Sequence, residues 1–129
     1  MAFWRYGKGS RAERELIDIF SQHGFSVIRA AGSGVGNPCP DLLAFKHGLQ
    51  YGFECKAWDR GSLRIEKEQA DGLRKWEENT GITIMIAWKV PREGWKFVSI
   101  GELEEKEKGY TVTLKKATAI NRKVEELLG

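Results

Sequence analysis

The stretch ITIMIAWK, residues 82–89, limits the possible folds more than any other part of the chain. Apart from Thr83 and the terminal Lys89, every residue in it is apolar. An apolar run of this length is typical of a β-strand that is buried on both faces. Such a strand needs strands beside it and helices packed above and below. The stretch therefore predicts a layered α/β domain with this strand near the centre of the sheet.

Other segments supply the remaining strands and helices. Apolar residues at helical spacing predict three helices, over residues 10–23 (with Ser10 as N-cap), 66–79 and 117–128. Apolar and β-branched runs predict strands over residues 25–29, 41–46, 49–58, 94–100 and 110–116, the last as a short edge strand. The segment DRGSLR, residues 59–64, is expected to be a polar connection. We expect a central mixed β-sheet of about five strands flanked by helices.

Length and composition fit a single domain in a reducing compartment. A chain of 129 residues can bury one hydrophobic core but not two, so we treat residues 1–129 as one domain. No apolar run approaches the ~20 residues that span a bilayer, so no membrane partner is expected. The two cysteines, Cys39 and Cys55, form no CxxC motif and are expected to be free thiols. This cysteine usage favours the cytoplasm.

The net charge of +3 is modest, but the charges are unevenly distributed. Basic residues are concentrated in the first 29 positions, whereas the acidic run GELEEKEKG occupies residues 101–109. We therefore divide the domain into a basic arm at 1–9, a core at 10–100, and an edge strand with a helix at 101–129. A basic arm with aromatic residues fits a phosphate backbone, although a solvated tail would have the same composition.

Three charged residues interrupt the predicted hairpin of residues 41–46 and 49–58. Side chains two apart on a strand share a face, so Glu54 and Lys56 point the same way. Pairing across the His47-Gly48 turn brings Asp41 nearly opposite Glu54. Burying such charges is costly unless they are paired or bind a metal. The two carboxylates are therefore predicted to converge on one cation.

A hard divalent cation such as Mg²⁺ fits this pair, because it binds one or two carboxylates and completes its shell with water and phosphate oxygens. Lys56 could orient a water molecule or offset charge on a phosphate, and its use as a base is left open. Glu13 lies at helical spacing from Leu16 and Phe20, on the apolar stripe of the first helix. Its partner would be the same metal, directly or through water, or a nearby arginine, Arg14 or Arg29.

Simpler interpretations of the same residues also exist. Exposed strand faces often alternate glutamate and lysine without any catalytic role. The two cysteines could form a zinc set with His23 and His47, but their spacing matches no usual ligand pattern. The Pro-Asp junction, the inward Glu13 and the preceding glycine loop favour catalysis over these alternatives.

Five blocks of sequence, in order, are similar to the archaeal-type Holliday-junction resolvases, a branch of the PD…ExK nucleases found in archaea and in some phages and viruses. The blocks are KGSRAERELI, GFSVIRAAGSG, PCPDLLAF, FECK and IAWKVPREGWKF. The resemblance implies a restriction-endonuclease-like core over residues 10–100. The chain differs from the family pattern at Tyr6-Gly7-Lys8, in the Pro-containing loop before Asp41, and after about residue 105.

The resemblance assigns roles to individual residues. It implies Glu13, Asp41, Glu54 and Lys56 as catalytic, with the three carboxylates as metal ligands. It implies DNA contacts at Arg5, Lys8, Arg14, Arg29, Ser33 and Lys89. It also places a homodimer interface on the second helix, at Leu73 and Trp76, while the role of Gln69 stays open.

The implied activity is Mg²⁺-dependent paired symmetric nicking of four-way DNA junctions near the crossover, with Mn²⁺ able to replace Mg²⁺ and no small-molecule cofactor. It would take place in the cytoplasm of an archaeal cell or of the host of a phage or virus. Three alternatives remain: a repair or restriction nuclease that acts on another DNA structure, a non-catalytic junction-binding module, and a protein-interaction adaptor. A cleavage assay on branched and linear DNA distinguishes between them.

Overall fold

The computed structural model of the protein describes residues 2–30, 38–58 and 60–129, with side chains described from residue 11 onward. The helices are α1 (Ala2–Gln22), α2 (Lys67–Thr80), α3 (Leu114–Ile120) and α4 (Val124–Leu127). The strands are β1 (Ser26–Arg29), β2 (Leu42–Lys46), β3 (Leu49–Ala57), β4 (Ser62–Glu66), β5 (Thr83–Val90), β6 (Gly94–Ser99), β7 (Glu104–Lys106) and β8 (Gly109–Thr113).

The main sheet has five strands in the order β1-β2-β3-β5-β6, and the predicted mixed sheet is confirmed. Its neighbours are antiparallel except for β3 and β5, which run parallel. Strand β5 is buried on both faces as its apolar sequence requires, with Ile86 in one core cluster and Ala87 in the other. Helix α1 packs on one face of the sheet and α2 on the other. The molecule is therefore a single α/β domain with a core on each side of one sheet.

A second, three-stranded sheet in the order β4-β8-β7 corrects two expectations. Residues 59–64 are not simply a polar connection, because β4 begins at Ser62. Leu63 and Ile65 of β4 are buried and alternate with exposed residues, so the two-residue period identifies a half-buried strand. The strand predicted over residues 110–116 is β8, which lies at the centre of this second sheet and not at the edge of the main one.

Both terminal helices differ from their predicted bounds. Helix α1 begins at Ala2, so Ser10 lies within it and is not an N-cap. Residues 2–9 contain no proline, and their two glycines lower helix propensity without preventing a helix. The helix predicted over 117–128 is interrupted, since Asn121 adopts a left-handed conformation (φ 53°) that ends α3. The predicted division at residues 9 and 100 stays a prediction, although α1 runs through the first of these boundaries.

Two glycines fix the entry to β2. A Cβ atom at Gly72 of α2 would lie 2.5 Å from the Cβ of Pro38, so the interior glycine that weakens this helix allows a proline to pack against it. A Cβ atom at Gly52 of β3 would lie 3.0 Å from the Cγ of Pro40. The two prolines are thus seated on α2 and on β3. Asp41, the next residue, enters the sheet from a fixed position.

None of the helices in the described part of the chain is both long and apolar enough to cross a bilayer.

Candidate active site

The β2–β3 hairpin places Asp41 and Glu54 next to each other. Leu42 pairs with Phe53 in the observed register, so the residues one step outward, Asp41 and Glu54, face each other across the hairpin. The backbone N–H of Cys55 donates a hydrogen bond of 2.9 Å to Oδ2 of Asp41. This bond holds the Asp41 carboxylate against β3. The juxtaposition predicted from the hairpin turn is therefore present.

Among the described residues, Glu54 is the charged residue that is buried, with 3% of its surface exposed. Its Oε2 accepts a 2.5 Å hydrogen bond from Nε2 of Gln69 and lies 3.6 Å from Nζ of Lys56. Its Oε1 is buried and has no hydrogen-bond partner among the described residues. Burial, and then the charge of Asp41, raise the pKa of Glu54 to about 7, against the opposing effects of Lys56 and Gln69.

A divalent cation fits this arrangement. An unpaired buried oxygen costs about 1–3 kcal/mol, and two adjacent carboxylates repel each other. A cation held by Asp41 and Glu54 would remove both penalties. In the described part of the chain, no three His, Cys, Asp or Glu side chains form a metal-binding group by themselves. Mg²⁺ needs only one or two carboxylates, because water and phosphate oxygens supply its other ligands.

Glu13 projects toward the same region from α1 and is half-buried. Its Oε1 lies 2.7 Å from Nε of Arg29, so the arginine partner considered from the sequence is present. Burial, Asp41, Glu13 and Glu54, in that order, raise the pKa of the Cys55 thiol. The three carboxylates therefore act electrostatically on one point of β3. The role of Glu13 as a metal ligand stays a prediction.

The basic residues predicted to contact DNA differ in their surroundings. Arg14 and Arg29 are exposed. Lys89 forms a 2.7 Å ion pair with Glu15 and lies 5.5 Å from the centroid of the Trp95 ring. The side chains of Arg5 and Lys8, and the whole of Ser33, lie outside the described part of the chain.

The predicted dimer contact needs a correction at Leu73. This side chain is 0% exposed and packs in the core between α2 and the main sheet, so it offers no surface to a second copy. Its spacing from Ala70 placed it on the apolar stripe of α2, and that stripe faces inward. Trp76 is half-buried against the same core, and a contact there stays a prediction.

Two residues of the site were not assigned from the sequence. Gln69 holds Glu54, and its position four residues before the buried Leu73 was the available signal that it points inward. Glu15 binds both Lys89 and the indole N–H of Trp95, each at 2.7 Å. The contact with Trp95 joins residues 80 positions apart, and no local pattern predicts either contact.

The chain is similar in sequence and in fold to several known proteins. A family model described as archaeal Holliday junction resolvase (Hjc) matches residues 4–129. The crossover junction endodeoxyribonuclease Hjc of Archaeoglobus fulgidus is 33% identical over 106 residues, which cover 81% of this chain and 78% of the relative. That of Sulfolobus acidocaldarius is 34% identical over 105 residues, covering 79% and 73%. The solved structure of Archaeoglobus fulgidus Hjc matches with a TM-score of 0.85 at 29% identity, covering 94% of this chain and 100% of the other.

Proposed function

Because the chain belongs to the archaeal Holliday junction resolvase family, we propose that it resolves four-way DNA junctions by Mg²⁺-dependent paired nicking near the crossover. The observation that carries the proposal is the buried Glu54 carboxylate, with one oxygen unpaired and Asp41 beside it. The names of the relatives, crossover junction endodeoxyribonucleases, support the substrate. The free thiols of Cys39 and Cys55 support a reducing, cytoplasmic setting.

Each residue of the site has a separate task in this proposal. Asp41 and Glu54 would hold the cation, and Gln69 keeps the Glu54 carboxylate oriented. A bound Mg²⁺ supplies polarisation of the scissile phosphate and activation of a water molecule. Lys56, one third exposed and 3.6 Å from Glu54, would stabilise the negative charge that develops on the phosphate. Glu13 would complete the acidic side of the site from α1.

Recognition would depend on the phosphate backbone and on the shape of the branched DNA. Arg14 and Arg29 are exposed, Arg29 contacts Glu13, and Lys89 contacts Glu15 of the same helix. Helix α1 also carries Arg5 and Lys8 toward its N-terminus. Contacts between basic residues and phosphates position a protein without reading base sequence, and they weaken steeply with salt. We therefore expect a preference for junction structure over any particular sequence.

A homodimer would supply the second active site that paired nicking requires. Ile28 and Phe45 are the exposed large apolar residues of the described chain, at 56% and 36%. Ile28 pairs with Leu43, and Leu43 packs against the same core as Trp76. Ile28 and Phe45 therefore lie on the α2 side of the main sheet. Helix α1 packs on the opposite side. A two-fold-related copy that covers this patch would match the near two-fold symmetry of a junction.

A cleavage assay tests the proposal directly. A labelled four-way junction and a linear duplex of equal length are incubated with the protein at matched salt, with and without Mg²⁺. We expect paired, symmetric, ligatable nicks in the junction with Mg²⁺ or Mn²⁺, and no cleavage in their absence. Equal cutting of the linear duplex would contradict junction resolution, and cutting without a divalent ion would contradict the metal site.

Flapped and nicked DNA in the same assay would identify a nuclease of the superfamily with another substrate. Asp41→Asn is the matched variant for the metal site, because it keeps the size of the side chain and removes its charge. We expect this variant to bind the junction without cutting it.

A further inference from the structure

A large cleft opens beside the catalytic lysine. It has a volume of about 820 Å³ and lies between the end of β3 and the second sheet. Lys56 and Gln69, both in contact with Glu54, line one part of it, and Trp58 and Arg60 line another. A cleft of this size accommodates a ligand as large as a nucleotide. Any DNA strand whose phosphate lies at Lys56 would have this cleft next to it.

Trp58 forms a rigid aromatic wall of the cleft. Its indole N–H donates to the carbonyl of Ser62 at 3.1 Å, and its own carbonyl accepts a 3.0 Å bond from the indole of Trp88. Its backbone N–H donates to the carbonyl of Lys89 at 3.2 Å. Gly61, just before β4, is held as well, because the N–H of Leu114 donates to its carbonyl at 2.7 Å. A ring fixed in this way loses little conformational freedom when another ring stacks on it.

The cations around this ring suit a nucleic-acid ligand. The guanidinium of Arg60 lies 5.4 Å from the centroid of the Trp58 ring, and Arg60 has no carboxylate partner in the described part of the chain. Arg64 and Lys56 also line the cleft, and each is already paired, with Glu66 and Glu54 respectively. Arg60 is thus a planar cation over a planar ring at the surface of the cleft. Bases stack both on aromatic rings and on guanidinium planes.

We propose that this cleft binds one unpaired nucleobase of the branched DNA, stacked against the platform that the Trp58 ring and the Arg60 guanidinium form together, with Arg64 on an adjacent phosphate. The inference rests on the proposed function, because it places the base beside the strand that Lys56 and Glu54 would act on. In the open form of a junction, a base next to the crossover lacks a stacking neighbour on one side, so less energy is lost when it leaves the helix. The cleft would thereby distinguish the branch point from regular duplex.

Two substitutions separate stacking from a merely structural role of Trp58. Trp58→Phe and Trp58→Leu both remove the indole N–H that binds Ser62, and both keep an apolar side chain against the core. Only the phenylalanine keeps an aromatic face. We expect Trp58→Leu to lower kcat/KM on a junction by about tenfold, the scale of one stacked base, and Trp58→Phe to remain within about threefold of the parent. Arg60→Ala should also lower it, whereas Lys108→Ala, which removes an exposed charge outside the cleft, should not.

The base itself can be observed with 2-aminopurine placed in turn at each position around the crossover. The protein used carries Asp41→Asn, so that the junction stays intact. We expect binding to change the emission at one position, and we expect this change to persist with Trp58→Phe and to disappear with Trp58→Leu.

The outcomes distinguish the inference from the function on which it rests. If the junction is bound and cut but the phenylalanine and leucine variants behave alike, the inference is overturned while the proposed function stands. The same holds if no position gives a Trp58-dependent change in emission. If the Asp41→Asn protein binds a junction no better than a duplex of equal length, the proposed function is overturned and the inference with it.

Discussion

Two glutamates, Glu54 and Glu102, occupy opposite electrostatic environments in this small domain. Burial beside Asp41 raises the pKa of Glu54 to about 7. The Arg122 guanidinium, helped by the backbone N–H of Ser99, lowers the pKa of Glu102 to about 2. Both oxygens of Glu102 are bonded to Arg122, at 2.7 and 2.9 Å, whereas Glu54 keeps one oxygen unpaired. Both oxygens of Glu102 therefore have hydrogen-bond partners in the protein, whereas one oxygen of Glu54 has none among the described residues.

The difference shows which of the two is available for chemistry. A carboxylate satisfied by an arginine contributes to stability and has little capacity left for a cation or a substrate. A buried, unsatisfied carboxylate destabilises the free protein and is retained where a ligand completes it. Glu102 therefore anchors the C-terminal segment to the turn after β6, and Glu54 marks the candidate active site. Substitutions at the two positions should have opposite consequences.

The largest expected effect is on cleavage. Glu54→Gln should lower the single-turnover rate on a junction by roughly a thousandfold or more, because an amide cannot replace a charged ligand of the cation. Glu102→Gln should leave that rate within a fewfold of the parent. Junction binding, measured by gel shift, should persist in both variants. Equal cleavage by the two would contradict the assignment of Glu54 to the site.

The second prediction concerns stability against pH without divalent ions. The folded-state pKa of Glu54 is raised from its ordinary 4.5 to about 7, so its contribution to stability is fully present below pH 4.5 and is lost as the pH rises through 7. Glu102, lowered to about 2, contributes above pH 4.5 and loses its contribution as the pH falls toward 2. The Glu54 effect should amount to a few kcal/mol, and that of Glu102 should be smaller because its carboxylate is partly exposed.

Urea unfolding between pH 3 and 9 checks both signs. Glu54→Gln should remove the loss of stability above neutrality, and Glu102→Gln should remove the loss in acid. Added Mg²⁺ should restore stability at pH 8 in the parent and not in Glu54→Gln, because the cation binds the folded state. If the stability of Glu54→Gln fell around neutral pH as that of the parent does, the Glu54 carboxylate would not be destabilised by its surroundings.

The third prediction uses one glycine in each region. Gly72→Ala places a methyl group against Pro38, whereas a Cβ atom at Gly101, next to Glu102, meets nothing within 4 Å. Gly72→Ala should shift the Pro38–Pro40 segment and with it Asp41, and a small misplacement of a catalytic group costs about tenfold to a hundredfold in rate. Gly101→Ala should leave cleavage unchanged. We would detect the difference as a fall in kcat at constant KM. Equal rates for the two variants would show that Asp41 is not positioned through Pro38.

The sequence predicts the β2–β3 hairpin of the candidate site well because the signals for a hairpin are local. The His47-Gly48 turn sets the register, and the register brings Asp41 opposite Glu54. Strand β4 was missed although Leu63 and Ile65 alternate with polar residues, since the preceding Asp-Arg-Gly favours a loop.

The long-range partners had no local signal. Arg122 binds Glu102 from 20 positions away, and it was placed in a helix that Asn121 interrupts. The choice of Arg29 over Arg14 as the partner of Glu13 depends on how α1 lies across β1, which helical periodicity does not specify. The unpaired oxygen of Glu54 likewise follows from three-dimensional packing alone.

The smallest effect belongs to Arg122. Arg122→Ala should lower the free energy of unfolding at pH 7 by about 1–2 kcal/mol, since it removes a two-pronged ion pair that is only partly screened by solvent. Arg122→Lys should recover only part of this, because a lysine cannot bond both oxygens of Glu102 and also reach the carbonyl of Phe97. Neither variant should alter cleavage of a junction. Urea unfolding and the cleavage assay together test this prediction. A loss of cleavage without a loss of stability would mean that Glu102, the partner of Arg122, also serves the active site.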